Sequence, residues 1–224
     1  MNKPVISINQ LAVYSEASLS KKKQILKQQV VPNRILVPWY QKAKAAIKKY
    51  FKNVNDIAPL LKAIDAIEHE AKPTKHWIKI NQQVSKEALK QMMLIRVPRM
   101  LRDVSYEIIK PSVNSIMLGG VEIKVAPDIV ISAKINGKTV YGAIKIHISK
   151  NDFFDSKQLE IVSTVLHQFL LSKVVHRGDI VLPELCLCLD VFAGRIVGAD
   201  NTHFNVVMEQ IENICFEINK LWAA

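Results

Sequence analysis

The sequence has few of the residues that mark several common classes of protein. Its 224 residues include three cysteines, and Cys186, Cys188 and Cys215 show none of the paired spacing of a zinc site. Cys186 and Cys188 alternate within LCLCLD, as residues on one face of a strand do. We therefore expect structural thiols in a reducing compartment, the cytoplasm.

Long apolar segments are lacking as well. No apolar run approaches the roughly 20 residues that span a bilayer, and the first ten residues, MNKPVISINQ, lack the apolar stretch of a secretory signal. No internal repeat or low-complexity segment is visible. With 49% hydrophobic and 23% charged residues, the composition is that of an ordinary globular protein. We expect no membrane partner.

Acidic residues are scarce in the first half of the chain. Residues 1–110 hold 21 Lys and Arg against 8 Asp and Glu, a net charge of +13, whereas residues 111–224 hold 10 and 12, a net charge of −2. A basic half favours a polyanionic partner, most simply nucleic acid, and we expect DNA rather than RNA. A lysine-rich surface that only keeps the protein in solution is the alternative. The candidate phosphate contacts are Lys21, Lys22, Lys23 and Lys27, in the run KKKQILK.

Helical periodicity dominates the first half, and we treat residues 1–98 as a basic helical N-terminal region. Ser7 is a candidate cap for a short helix through 9–14, and Ser85 is a candidate cap for a later one. The predicted helices cover residues 9–14, 19–30, 39–51, 57–70 and 86–95. The first two resemble a helix-turn-helix, but they show no clear recognition-helix pattern, and a plain helical pair is an equal alternative.

From residue 99 onward the pattern changes to alternating strands and helices. The predicted order is a helix over 99–109, a strand over 115–124 interrupted at Gly119-Gly120, two hairpin strands, a helix from Asp155 or Ser156 to 173, and a strand over 184–192. A turn into 195–199 and a helix over 202–222 close the chain. Residues 99–224 are therefore predicted to form an α/β core, a mixed β-sheet flanked by helices, with a C-terminal hairpin and helix.

The segment VEIKVAPDIVISAKINGKTVYGAIKIHISK carries the most specific pattern. Asn136-Gly137 suits a two-residue type I′ turn between strands over 125–135 and 139–148. Facing residues then have numbers that sum to 273, which places Asp128 opposite Lys145. These two side chains and His147 are predicted to face outward together, while the alternating isoleucines of both strands face a core.

The order of elements, with Pro127-Asp128 and Lys145, resembles the core of the PD-(D/E)xK nuclease-like superfamily. The resemblance covers residues 99–192, under half of the chain. It implies a restriction-endonuclease-like fold in which Asp128 binds Mg²⁺ and Lys145 orients the attacking water. The second acidic position of that motif falls on Ala143, which cannot bind a cation.

Two kinds of function stay open at this point. One is a weak or degenerate metal-dependent phosphodiesterase, a nuclease, with Asp128 and a second acid such as Glu107, Glu122 or Glu160. On this hypothesis, Ala143→Glu is expected to create or strengthen Mn²⁺ binding. The other is a catalytically inactive DNA-binding or protein-interaction module that keeps the fold, with a homo-oligomer through the last helix as a further option. In that case Asp128 and Lys145 form a cross-strand ion pair.

Overall fold

The computed structural model describes residues 3–30, 39–70, 73–200 and 202–223. In this part of the chain, after one short strand, six helices precede a run of five strands, and a helix, two strands and a last helix follow. The strands are β1 (Val5–Ser7), β2 (Tyr106–Ile109), β3 (Ser115–Leu118), β4 (Val121–Lys124), β5 (Ile129–Ile135), β6 (Lys138–His147), β7 (Ile180–Asp190) and β8 (Arg195–Gly198). The helices are α1 (Ile8–Ser15), α2 (Leu19–Val30), α3 (Gln41–Tyr50), α4 (Ala58–Glu68), α5 (His76–Leu94), α6 (Met100–Asp103), α7 (Ser156–Lys173) and α8 (Phe204–Ala223).

A five-stranded mixed sheet organises the fold, in the order β2-β5-β6-β7-β8. Strands β6 and β7 run parallel, and the other neighbours are antiparallel. A parallel pair needs a long crossover connection, which α7 supplies. Asp155 begins that helix with a capping box, in which its side chain and that of Gln158 each accept a hydrogen bond from the other's backbone N–H. The predicted α/β class, with helices around a mixed sheet, is confirmed at this level.

The predicted hairpin is confirmed in its register. Ile129 pairs with Ile144 and Ile135 with Lys138, so facing numbers sum to 273. Asn136 and Gly137 have φ values of +50° and +76°, the left-handed values that a type I′ turn requires. Because this turn sets the register, the sequence alone determined which side chains of β5 and β6 share a face.

A second, three-stranded sheet has the order β1-β4-β3. Gly119-Gly120 forms the turn between β3 and β4, both with positive φ, and a Cβ at Gly119 would lie 2.8 Å from the Cβ of Cys215 on α8. The predicted interruption of the 115–124 strand is thus a tight hairpin packed against the last helix.

Helices cover both faces of the five-stranded sheet, and each face has its own hydrophobic core. On one face, Val130, Ala143 and Cys186 are buried in a cluster with residues of α1, α2, α7 and α8. On the other face, Ile129 and Ile144 are buried with residues of α3, α4 and α5. The helices of the first half therefore pack directly on the sheet of the second half.

Three local predictions were wrong. The hairpin face opposite the isoleucines does not face outward, because α7 covers it, as the helix of a parallel crossover does. Residues 99–109 are not one helix, because α6 ends at Asp103 and β2 pairs with β5 from Tyr106 onward. Ser85 does not cap a helix but lies buried inside α5. In the last two cases, tertiary packing overrides a local signal.

None of the described helices is both long enough and apolar enough to cross a bilayer.

Candidate functional site

Asp128 and Lys145 lie together where β5 begins and β6 approaches its end. The backbone N–H of Asp128 donates at 2.9 Å to the carbonyl of Ile144, the residue that pairs with the neighbouring Ile129. The two side chains do not pair with each other. Instead, Lys145 Nζ donates to the carbonyl oxygens of Val125 and Ala126, at 2.9 and 2.7 Å. The hairpin register thus brings the two predicted residues together, but each binds a different partner.

The carboxylate of Asp128 is held by groups from two elements. Lys44 Nζ, from α3, lies 2.9 Å from Oδ1, and the backbone N–H of Ile146 donates to Oδ2 at 2.9 Å. The Asp128 side chain is 9% exposed, whereas that of Lys44 is 37% exposed. A largely buried carboxylate needs such partners, because an unpaired buried charge is costly.

The loop before Asp128 is strained, and Lys145 holds it. Ala126 has a φ of +38°, a value that residues other than glycine rarely adopt. Its N–H and that of Val125 both donate to the carbonyl of Asn114, while their carbonyls accept from Lys145. Strained backbone persists only where its surroundings fix it, and it often occurs at functional sites. Lys145 therefore stabilises the backbone of Val125 and Ala126.

Positive charge dominates this strand end. Burial lowers the pKa of Lys145 to about 8; nearby Asp128 opposes the shift, and Lys44 and Lys48 add to it. Lys44 and Lys48 are one turn apart on α3, so they lie on the same side of that helix. Together with Lys145 they form what we call the lysine cluster, three neighbouring ammonium groups of which one, that of Lys44, is paired with Asp128. The local field attracts anions.

The side chains around Asp128 do not fit a bound Mg²⁺. Magnesium takes several oxygen ligands in near-octahedral geometry, whereas Oδ1 of Asp128 is paired with Lys44, whose ammonium repels a cation, and Oδ2 accepts the N–H of Ile146. Ala143 is fully buried under α7. Across the described ranges, no three His, Cys, Asp or Glu side chains are grouped as metal ligands would be.

The three candidate second acids lie on other elements. Glu107 is an exposed residue of β2, Glu122 lies on β4 of the smaller sheet, and Glu160 lies on α7. None of the three has an ion pair or side-chain hydrogen bond with the Asp128 site.

Two other polar residues at the ends of β6 and β7 have structural partners. Asp190 is fully buried and accepts from the N–H groups of Phe154 and Ala193, at 2.8 and 3.0 Å. His147 Nε2 lies 2.7 Å from the carbonyl oxygen of Asp152, and its ring stacks on Phe154 with centroids 3.8 Å apart. These contacts tie the loop before α7 to the sheet.

The lysines of α2 form a separate group. Lys21, Lys23 and Lys27 are exposed, whereas Lys22 is paired with Glu217 of α8 at 2.8 Å and lies over the ring of Tyr14. Helix α2 packs in the core shared with α7 and α8, whereas α3 packs on the opposite face of the sheet. The candidate phosphate contacts on α2 and the lysine cluster therefore belong to two different surfaces.

No protein-family model matches the sequence, and no curated protein is a significant match to it. What the site can do must follow from its own residues. Sequence reasoning missed the role of Lys44 and Lys48, although the run KAKAAIKKYFK places them one helical turn apart. The contact of Lys44 with Asp128, more than 80 positions away, has no sequence signal.

Proposed function

We propose that this chain binds nucleic acid through the phosphate groups, with a restriction-endonuclease-like core that does not cleave the phosphodiester bonds. The contact that carries the proposal is that of Lys44 Nζ, 2.9 Å from Asp128. The resemblance to the PD-(D/E)xK superfamily implies a divalent cation beside Asp128. In this chain the ammonium group of Lys44 lies beside Asp128 instead. The fixed charge needed to attract a phosphate is supplied by the protein itself.

The topology supports the restriction-endonuclease-like part of the proposal. The β5–β6 hairpin, the crossover through α7 and the return to β7 parallel to β6 follow the order of elements in that superfamily. The β5–β6 hairpin brings together Asp128 and Lys145, the two residues that the resemblance assigns to the motif. Fold similarity alone does not establish chemistry, so the activity has to be inferred from the side chains.

The side chains favour binding over hydrolysis. The lysine cluster attracts a phosphodiester, and such contacts are largely independent of base sequence. Hydrolysis needs an activated water, which in metal-dependent nucleases comes from the ion. Asp128 is engaged by Lys44, and Lys145 by two backbone carbonyls, so neither group is available to activate water.

Charge reversal tests the proposal. Lys48 is exposed and has no ion-pair partner among the described residues. Lys48→Glu should weaken binding of labelled DNA and RNA about equally across sequences and lower the salt slope of log K by about one or more. Lys138→Glu is the matched control, because Lys138 is exposed at the far end of β6, about 23 Å from Lys145 by the rise of a strand.

The outcomes separate the parts of the proposal. Undetectable binding at low salt, or equal effects of Lys48→Glu and Lys138→Glu, would show that the lysine cluster is not a phosphate site. Efficient cleavage in Mg²⁺ or Mn²⁺ that Asp128→Ala abolishes would instead identify a metal-dependent nuclease. A triple variant with Lys21, Lys23 and Lys27 changed to Glu measures the contribution of α2.

A further inference from the structure

A groove lined by aromatic and aliphatic side chains opens near the lysine cluster, at the end of β6. Its volume is about 640 Å³. Its apolar lining consists of Trp39, Tyr40, Ile80, Val84 and Ile148. Trp39 is 40% exposed, so part of its ring is open to a ligand in the groove. Gln41 and Asn151 also line the groove and bring hydrogen-bonding groups to it.

The backbone next to Trp39, at Tyr40, is held in place by several contacts. Tyr40 has a left-handed φ of +60°, and its N–H donates to Asn81 Oδ1 at 3.0 Å. The Tyr40 ring packs edge-on against Phe192, with centroids 5.9 Å apart, and its carbonyl accepts from Lys44 N–H at 2.8 Å. Backbone strain of this kind, stabilised by side-chain contacts, is typical of ligand-binding positions.

The groove lies within reach of a strand bound at the lysine cluster. Ile148 is three residues beyond Lys145, about 10 Å along a strand, and Tyr40 is four residues before Lys44, about 6 Å along a helix. A distance of about 10 Å corresponds to roughly three phosphates of a stacked strand. A nucleic-acid strand whose phosphates contact the lysine cluster therefore reaches Trp39 within about three nucleotides.

We propose that this groove binds an unpaired base of single-stranded nucleic acid, stacked on Trp39. The inference rests on the proposed function and adds the class of substrate. Every base has a flat face that stacks on an aromatic ring, but in a duplex that face is covered by the neighbouring base pairs. Lys150 at the groove is already paired with Glu87 at 2.6 Å, so the groove itself suits an uncharged base while the phosphates lie on the lysine cluster.

The test compares two tryptophans in the full-length chain. Trp77 is also 40% exposed but does not line the groove, so Trp77→Ala is the matched control for Trp39→Ala. Binding of labelled oligo(dT) and of a duplex of equal length is measured by fluorescence anisotropy. Loss of one base–aromatic stack should weaken oligo(dT) binding about five- to 150-fold. Trp39→Ala should leave the duplex unchanged, Trp77→Ala should change neither, and Trp39→Phe should recover much of the loss.

A second measurement reports on the stack directly. In a chain with Trp77→Phe and Trp222→Phe, oligo(dT) should quench the fluorescence of Trp39, and thermal unfolding checks that each variant is folded. If oligo(dT) binds but Trp39→Ala and Trp77→Ala behave alike, the groove is not a base site and the proposed function stands. Equal losses for oligo(dT) and duplex also overturn the stacking proposal.

Two further outcomes complete the test. If neither nucleic acid binds at low salt, the proposed function and the groove proposal both fail. If Trp39→Ala changes only the oligomeric state of the chain, the groove belongs to a second copy and the base-stacking proposal is wrong.

Discussion

The lowered pKa of Lys145 leads to a quantitative prediction of how the free energy of unfolding changes with pH. Its pKa is lowered by burial from 10.5 to about 8 in the folded protein. The unfolded chain therefore holds this proton more tightly, and the charged side chain weakens folding by about 3 kcal/mol below pH 8. As the pH rises from about 8 toward 10.5, the proton is lost from the folded state first, and the penalty is relieved.

The whole-protein stability does not show this effect by itself. Burial raises the pKa values of the thiols of Cys186, Cys188 and Cys215. Unfolded thiols ionise near pH 8.5, so these cysteines lower stability as the pH rises above that value. The contribution of Lys145 is therefore measured as the difference in the free energy of unfolding between wild type and Lys145→Met. The cysteine contributions are the same in both proteins and cancel in this difference.

We expect this difference in the free energy of unfolding to change by about 2 kcal/mol in favour of wild type between about pH 7 and pH 9.5. Urea unfolding followed by circular dichroism at four pH values in this range measures it. Loss of the hydrogen bonds to Val125 and Ala126 adds a nearly constant offset and does not alter the slope. A difference that stays constant within about 0.5 kcal/mol, or that falls with pH, would refute the inferred burial of the charge.

Two further predictions concern the neighbours of Lys145. Lys44→Met should lower the free energy of unfolding by about 1–3 kcal/mol, because Asp128 then keeps a single hydrogen bond in a largely buried site. Lys48 lies one turn away and is exposed, so Lys48→Met should change the free energy of unfolding by less than about 0.5 kcal/mol. The same urea unfolding experiment measures both variants. Ala143→Glu should destabilise by about 3 kcal/mol or more, because it buries a carboxylate under α7, and calorimetry should find no Mn²⁺ binding. A stable Ala143→Glu protein that binds Mn²⁺ would instead support the degenerate nuclease site expected from the sequence alone.

The local features of this protein could be predicted from its sequence with good accuracy. Asn136-Gly137 determined the turn and hence the register of β5 and β6, because the side-chain period of a strand is two. Ser7 and Asp155 begin their helices as predicted, since their side chains accept from backbone N–H groups that no helical carbonyl reaches. These features depend on residues close together in the chain.

Only the tertiary structure decided what the predicted site contains. The register placed Asp128 beside Lys145, but it could not show that Lys44, from a helix more than 80 residues earlier, pairs with the aspartate. It also could not show that α7 buries Ala143 or that β2 replaces part of a predicted helix. Each of these depends on which helix covers which face of the sheet, and that choice is made by the complementary packing of two whole hydrophobic cores rather than by any local pattern.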